Sequence, residues 1–142
     1  MTQSKTNILI VGGGPAGMAA ALAASEQNDA NVTLIDDNSR LGGQIWRAEL
    51  GKTKSPDAAK LIGAIDAKKI NIINNAQIFA SSSDNSLRAE TSTGAIELKY
   101  EKLILTTGAR ERFLPFPGWT LPGVFGAGGL QAFVKGGLKV EN

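Results

Sequence analysis

Three glycines near the start of the chain have the spacing of a turn that can receive a diphosphate. Gly12, Gly14 and Gly17 match the pattern G-x-G-x-x-G, which joins a strand to a helix where dinucleotides bind. Gly12 permits a tight turn, the missing side chain at Gly14 lets a diphosphate approach the backbone, and Gly17 lets the helix pack closely. Pro15 and Ala16 would begin that helix, whose amino end attracts an anion. We therefore expect these five residues to bind the diphosphate of a dinucleotide.

An acidic residue follows at the distance where this pattern places a ribose-binding acid. Asp36 lies nineteen positions after Gly17, and the pattern expects an acid about 20 residues on. Its carboxylate would accept hydrogen bonds from ribose hydroxyls and would repel a 2′-phosphate, which disfavours NADP at this site. Asp37 is a second candidate contact, although a solvated turn acid is the more common role for such a residue.

The glycine turn is predicted to lie between a buried strand and an alanine-rich helix. Residues 7–11 form a short apolar run, and residues 15–27 are rich in helix formers. The other patterns predict a strand at 32–36, a loop at 38–51, a helix at 55–68 capped by Ser55, a strand at 70–80, a hairpin at 87–98 turning at Thr93 and Gly94, a strand at 102–106 and a short helix at 130–135. Alternating strands and helices indicate an α/β fold with a parallel sheet.

The composition restricts the chemistry that these residues can perform. The 142 residues include no cysteine and no histidine, which excludes a CxxC redox pair, a Cys-ligated cluster and a Cys or His nucleophile–base pair within them. We predict no metal site and no catalytic residue here, so redox chemistry would belong to an organic cofactor. The net charge of +2 without a basic cluster predicts no nucleic-acid partner. The absence of a signal sequence and of a long apolar run predicts a cytoplasmic chain without a membrane partner.

Two later segments give the chain a family resemblance and favour FAD over NAD. One is LGGQIWR at 41–47, and the other is LILTTGARERFLPFPG at 103–118. With them the chain resembles the flavoprotein oxidoreductases with two dinucleotide-binding folds, the pyridine nucleotide-disulfide oxidoreductase superfamily. The stretch TTGARERFLPFPGWTLPGVFGAGGLQ is most similar to the amine and imino-acid oxidoreductase subunits of the opine oxidase, hydroxyproline dehydrogenase and hydrogen cyanide synthase type.

This resemblance implies a fold and a set of cofactor contacts. The fold would be a Rossmann-like, FAD-binding parallel sheet with a small antiparallel hairpin crossover, incomplete at its carboxyl end. FAD would be the cofactor, and Gly42, Gly43 and Gln44 would lie near its diphosphate and flavin. The further contacts that the resemblance implies are Thr107 and Gly108 beside the cofactor and the backbone of Ile78 at the adenine.

The chain also departs from the family pattern. Disulfide reductases carry a CxxC near the flavin, so this segment cannot reduce disulfides by that route. The family usually has alanine where this chain has Thr106. The glycines at 126–129 are read as a loop before a short helix rather than as a second fingerprint, because no strand precedes them. Three arginines could bind a carboxylate or a phosphate, although surface positions are more common for such residues: Arg47, Arg110 and Arg112.

The resemblance further implies that the chain is the amino-terminal fragment of a larger enzyme and inactive alone. Residues 1–112 would be part of the FAD-binding domain, and residues 113–142, rich in Gly, Pro and aromatic residues, would lead toward a second domain that holds NAD(P). The intact enzyme would oxidise a C–N bond of an amino acid, opine or related amine by hydride transfer to flavin, with a partner oxidoreductase subunit. Two alternatives remain open: an NAD(P)-dependent reductase of the same superfamily, and a truncated, non-catalytic nucleotide-binding remnant.

Overall fold

The computed structural model describes residues 2–27, 30–46, 55–68, 70–135 and 137–140. Strands and helices are interspersed through the first half of the chain, and four consecutive strands precede the last helix. The elements are β1 Thr2–Val11, α1 Pro15–Ser25, β2 Val32–Ile35, α2 Gly43–Trp46, α3 Pro56–Asp66, β3 Asn71–Ile73, β4 Gln77–Ser83, β5 Ser86–Thr91, β6 Gly94–Leu105 and α4 Ala127–Lys135.

The strands form one six-stranded sheet in the order β3-β2-β1-β6-β5-β4. β3, β2, β1 and β6 are parallel, while β6, β5 and β4 form an antiparallel meander. The predicted α/β, Rossmann-like architecture is confirmed. Because the carboxyl ends of parallel strands lie at one edge of a sheet, the ends of β1, β2 and β6 come together there.

Two apolar clusters cover the two faces of the parallel strands. On one face Ile10 and Leu34 pack with Met18 of α1 and Ile65 of α3. On the other face, residues of β5 and of the first half of β6 pack with residues of β1 and β2. This second cluster contains Leu9, Ile35, Ala76, Leu87, Ala89 and Leu98. Adjacent residues of β1 thus point to opposite faces, as strand geometry requires. The two apolar clusters hold the strands and α1 in place, and so they position the sheet edge at which the glycine turn lies.

Three predictions gave the wrong bounds for their strands or helices. The hairpin at 87–98 and the strand at 102–106 share one continuous strand, because β6 pairs with β5 along its first half and with β1 over residues 96–105. The strand at 70–80 is two strands, since Asn75 has a left-handed φ of 52°. The loop at 38–51 contains α2 in its described part.

The other predicted elements are present with shifted ends. β1 begins five residues before the predicted strand, because its polar amino half pairs with β6. α3 is capped by Ser55, as predicted, with the Ala58 N–H donating to the Ser55 hydroxyl over 3.1 Å. α4 begins at Ala127, three residues before the predicted start.

The segment after β6 exposes many apolar side chains. Phe113 contacts Phe116 and Trp119, and Phe125 contacts Phe133 edge-on. The large apolar side chains exposed along this segment are Phe113, Leu114, Phe116, Trp119, Leu121, Phe125, Phe133, Val134, Leu138 and Val140. The division of the chain at residue 112 stays a prediction. In the part of the chain that the structure describes, no helix has the length and apolarity needed to cross a membrane.

Candidate functional site

The glycine turn connects the carboxyl end of β1 to the amino end of α1. Gly12 has a φ of 107°, and a Cβ added there would lie 2.3 Å from the carbonyl oxygen of Thr106. A Cβ added to Gly17 would lie 1.8 Å from the carbonyl oxygen of Gly12. The Gly12 N–H donates to the Ile35 carbonyl over 2.8 Å, which joins the turn to β2. Sterically, these two positions require glycine.

Gly14 differs from both of these glycines because space is open around it. The nearest atom to a Cβ built on Gly14 is the Cα of Gly43, at 4.0 Å. Gly14 is the N-cap of α1, provides no side-chain cap, and is followed by Pro15 in the first turn and then Ala16. The first N–H groups of a helix lack partners within it and carry partial positive charge. The amino end of α1 therefore offers backbone donors to an anion beside an unobstructed surface.

The carboxylate of Asp36 points at the glycine turn. One oxygen, Oδ2, accepts the N–H of Gly13 in a short hydrogen bond. The other, Oδ1, accepts the N–H and the side-chain amide of Asn38, each over 2.8 Å. Asp36 is 6% exposed. A carboxylate has about four acceptor positions, and these bonds take one on Oδ2 and two on Oδ1.

The segment with LGGQIW packs directly on the turn. The Gly42 N–H donates to the Gly13 carbonyl over 2.8 Å, and a Cβ on Gly43 would lie 3.0 Å from the Gly14 Cα. Positive φ values of 128° at Gly42 and 56° at Gly43 turn the chain into α2. Gln44 is exposed, and its backbone carbonyl accepts a hydrogen bond from the Lys135 ammonium over 3.3 Å. The predicted contacts Gly42 and Gly43 are thus brought to the turn.

The end of β6 completes the edge of the site. The Thr106 N–H donates to the Val11 carbonyl over 2.8 Å, which extends the pairing of β6 with β1. The backbone nitrogen of Thr107 lies 3.1 Å from a Cβ built on Gly12. Gly108 follows with a φ of 72° and open space around it. Thr107 and Gly108 are both exposed at this edge.

Asp37 and Ile78 are the two remaining predicted cofactor contacts. Asp37 is exposed, and its Oδ1 accepts the Asn38 side-chain amide over 2.7 Å. Ile78 packs against the second apolar cluster, which contains Leu9 and Leu98. The nearby Ala76 N–H donates to the Asp36 carbonyl over 3.0 Å. A polar cavity of about 340 Å³ opens here, lined by Asp37, Asn75, Gln77, Glu90 and Thr91.

Sequence reasoning missed several residues that build this edge. Gly13 and Asn38 hold the Asp36 carboxylate, and the hydroxyl of Thr106 lies 2.9 Å from the Gly12 carbonyl oxygen. Lys135 links α4 to α2, and Glu111 accepts the N–H groups of Gly128 and Gly129 at the start of α4. The D-x-N spacing at residues 36–38 is the local signal that could have revealed Asn38; the other contacts join distant parts of the chain.

Of the three candidate arginines, the two that the structure describes have no assigned contact at this site. Arg47 falls outside the described residues, and Arg110 and Arg112 are exposed beyond the end of β6. Among the residues that the structure describes, no three His, Cys, Asp or Glu side chains are grouped as metal ligands.

Known proteins of one family are similar to this chain. The family model for pyridine nucleotide-disulphide oxidoreductase matches residues 6–133. The HcnB subunit of hydrogen cyanide synthase from Pseudomonas protegens is 40% identical over 93% of this chain and 30% of its own length. An opine oxidase subunit from Agrobacterium tumefaciens is 34% identical over 91% of this chain and 29% of its own length. The chain thus spans about three tenths of the length of these relatives.

A solved structure shares the fold. L-proline dehydrogenase from P. horikoshii superimposes with a TM-score of 0.64 and 22% identity, covering 81% of this chain and 25% of that one. The matched segment of the family model contains the glycine turn, Asp36, α2 and the end of β6. The chain belongs to the pyridine nucleotide-disulphide oxidoreductase family, and so to the flavin-type oxidoreductases.

Proposed function

We propose that the chain binds FAD, with the diphosphate at the glycine turn, and that it serves an enzyme that oxidises a C–N bond. The observation that carries the proposal is the open backbone surface at Gly14. This surface lies at the amino end of α1, between Asp36 on one side and Gly43 on the other. A diphosphate needs backbone donors and partial positive charge without side chains in the way, and this surface provides them.

The residues near Asp36 suit the adenosine half of FAD. We propose that a ribose hydroxyl donates to the remaining acceptor position on Oδ2 of Asp36. The carboxylates of Asp37 and Glu90 line the neighbouring cavity, and their negative charge would oppose a phosphate on the ribose. We therefore propose an unphosphorylated adenosine at this end, with the backbone near Ile78 beside the adenine.

The residues on the other side of the turn suit the flavin half. Gly42 is buried and Gly43 is partly exposed, and both hold this segment against the turn. We propose that the cofactor passes beside them. Gln44 is exposed and has both donor and acceptor groups. Thr107 and Gly108 are exposed at the end of β6, next to Gly12, and we propose that they also contact the cofactor. When bound, the flavin would supply the acceptor for a hydride, while these residues would hold and orient it.

The substrate class is inferred from the relatives. Two of them are named as subunits of hydrogen cyanide synthase and opine oxidase, and they are the basis for proposing an amino acid, an opine or a related amine as substrate. Because both relatives are subunits of larger enzymes, we also propose a partner oxidoreductase subunit for the enzyme that this chain serves. We propose no catalytic residue within the chain.

Titration of FAD with the full chain tests this proposal. Flavin fluorescence should change saturably, and ADP should displace FAD because it carries the adenosine diphosphate half. FMN, which lacks that half, should bind at least about tenfold more weakly, a difference of about 1.4 kcal/mol. Displacement of FAD by NAD at equal concentration would favour the NAD-dependent reductase instead. No change in flavin fluorescence at any concentration would contradict the proposal and favour the non-catalytic remnant.

A further inference from the structure

We propose that Thr106 is a positioning residue whose hydroxyl sets the orientation of the diphosphate-binding turn. The inference rests on the proposed FAD site and adds a residue that the cofactor does not touch. Thr106 Oγ1 lies 2.8 Å from the Val11 carbonyl oxygen and 2.9 Å from the Gly12 carbonyl oxygen. Because a hydroxyl has a single proton to donate, the two carbonyl groups share it in a three-centre hydrogen bond.

The Gly12–Gly13 peptide is held from its two opposite sides. A trans peptide directs its C=O and its N–H away from each other, and the described chain contains no cis peptide bond. The hydroxyl of Thr106 binds the Gly12 carbonyl, while the carboxylate of Asp36 binds the Gly13 N–H. Two side chains from different strand ends therefore fix one peptide plane.

The orientation of this peptide determines the shape of the turn. Gly12 and Gly13 flank the peptide plane, and glycine leaves the backbone free to adopt many conformations. Rotation of the plane would remove the Gly13 N–H from Asp36 and would displace Gly14, the next residue. A fixed plane keeps the helix amino end and Asp36 in one arrangement before a ligand arrives, which lowers the cost of ordering on binding.

The hydroxyl is not needed for the pairing of the strands. The backbone N–H of Thr106 already donates to the Val11 carbonyl, and valine or alanine would keep that bond. The hydroxyl adds the link to Gly12, beyond the last paired residue of β1. A substitution that removes only the hydroxyl therefore isolates the orientation of the turn.

Thr6 provides a matched control in the middle of β1, five residues before the end of the strand. Its hydroxyl also lies between two backbone carbonyl oxygens, 2.7 Å from that of Asn31 and 3.2 Å from that of Ile8. Thr6→Val removes the same kind of bond from the same strand, far from the glycine turn. A general loss of stability would follow from either valine substitution, whereas a change in the turn would follow only from Thr106→Val.

The test measures FAD affinity by flavin fluorescence for Thr106→Val, Thr106→Ala, Thr106→Ser and Thr6→Val in the full chain. We expect the dissociation constant to rise about tenfold in Thr106→Val and Thr106→Ala, because the partly buried Gly12 carbonyl loses its donor. Thr106→Ser keeps the hydroxyl and should remain within about twofold of wild type, as should Thr6→Val. Thr106→Ala is included because it removes the hydroxyl without adding the methyl group of valine, which could clash with its neighbours.

A second measurement reports the peptide itself without any ligand. In the NMR spectrum of the free chain, the Gly13 amide proton should resonate far downfield because it is bonded to a carboxylate. That resonance should move upfield in Thr106→Val and Thr106→Ala and should stay in Thr106→Ser and Thr6→Val.

The outcomes separate the two proposals. If the wild type binds FAD, and Thr106→Ala binds it with the same affinity and shows the same Gly13 resonance, the positioning role is overturned. The FAD site would then remain supported. Equal loss of affinity in Thr6→Val and Thr106→Val would also overturn it, since the loss would then be a general stability effect. Failure of wild type to bind FAD would overturn both proposals together.

Discussion

The Cα of Gly17 lies against the carbonyl oxygen of Gly12, in the same turn. A Cβ on Gly17 would be 1.8 Å from that oxygen and 2.7 Å from Thr106 Oγ1. The oxygen belongs to the backbone and cannot move aside as a flexible side chain could. Gly14, three residues earlier, has open space instead. Two glycines of one motif thus have separable roles, one in close packing and one in leaving a surface bare.

Gly17→Ala should therefore unfold the turn, and Gly63→Ala should not. We expect Gly17→Ala to lower the free energy of unfolding by about 3 kcal/mol, since overpacking against backbone forces the strand and helix apart. Gly63 lies within α3 with nothing within 4 Å of an added Cβ, so alanine there should raise stability by about 0.5–1 kcal/mol. Urea unfolding followed by circular dichroism measures both. Equal stabilities of the two variants would contradict the packing of Gly17.

Asp36→Asn should destabilise the free chain, even without a ligand. The carboxylate accepts three hydrogen bonds from Gly13 and Asn38, and an amide would place a donor against one of these donors. Since hydrogen bonds to charged groups contribute about 1.5–3 kcal/mol each, we expect a loss in that range in the free energy of unfolding at neutral pH. The exposed Asp37→Asn should stay within about 0.5 kcal/mol of wild type. If Asp36→Asn were as stable as Asp37→Asn, the Asp36 contacts would be wrong.

Glu97 should make stability fall at acid pH. The hydroxyl groups of Ser82 and Ser86 donate to its Oε1, and the Gln3 amide donates to its Oε2. These bonds, the serine bonds foremost, together with the charge of Lys99, hold the pKa of Glu97 below its ordinary value of 4.5. A lowered pKa in the folded state favours folding above the ordinary value, and this contribution is lost as the pH falls through the folded value.

Thermal unfolding of Glu97→Gln from neutral to acid pH checks this. The variant should melt below wild type at neutral pH, and the difference should shrink as the pH falls below 4.5, because wild-type Glu97 then becomes neutral as well. The exposed Glu101→Gln removes one negative charge without these contacts and controls for net charge. A difference between Glu97→Gln and wild type that stays constant with pH would contradict the lowered pKa.

Ser55→Ala should weaken the start of α3. The Ser55 hydroxyl accepts the Ala58 N–H at the N-cap, and loss of such a cap costs about 1 kcal/mol. Ser55→Asp should retain most of the stability, since aspartate is also a good N-cap. Ser92→Ala, at the exposed hairpin turn, is the matched loss of a hydroxyl and should change little. Chemical denaturation that ranked Ser55→Ala with Ser92→Ala would argue against the cap.

The first part of the fold could be predicted from the sequence because its signals are local. The apolar run of β1, the alanine-rich α1 and the spacing from Gly17 to Asp36 all lie within 36 residues. The continuity of β6 could not be predicted, because its polar first half is ordered by pairing with the polar amino half of β1. The break at Asn75 depends on backbone bonds from residues 75 and 76 to the carbonyl groups of Asn38 and Asp36.

At the site, too, local features could be predicted from the sequence and contacts between distant residues could not. Spacing alone indicated the open surface at Gly14, since the pattern itself requires a bare backbone there. The contacts that fix the turn were not predictable, because Thr106 approaches Gly12 across 94 residues of chain. The burial of the Asp36 carboxylate under Asn38 was also missed, although a D-x-N pattern can form such a turn.

The most direct test of the account places a carboxylate on the surface proposed for the diphosphate. Gly14 has φ −72° and ψ −178°, which any residue can adopt, and space surrounds it, so Gly14→Glu should fold as wild type does. Gly63→Glu adds the same side chain on α3, away from the site. In an FAD titration followed by flavin fluorescence, Gly14→Glu should raise the dissociation constant at least about tenfold, or about 1.4 kcal/mol, while Gly63→Glu should match wild type. A folded Gly14→Glu chain that binds FAD as tightly as Gly63→Glu would contradict the account.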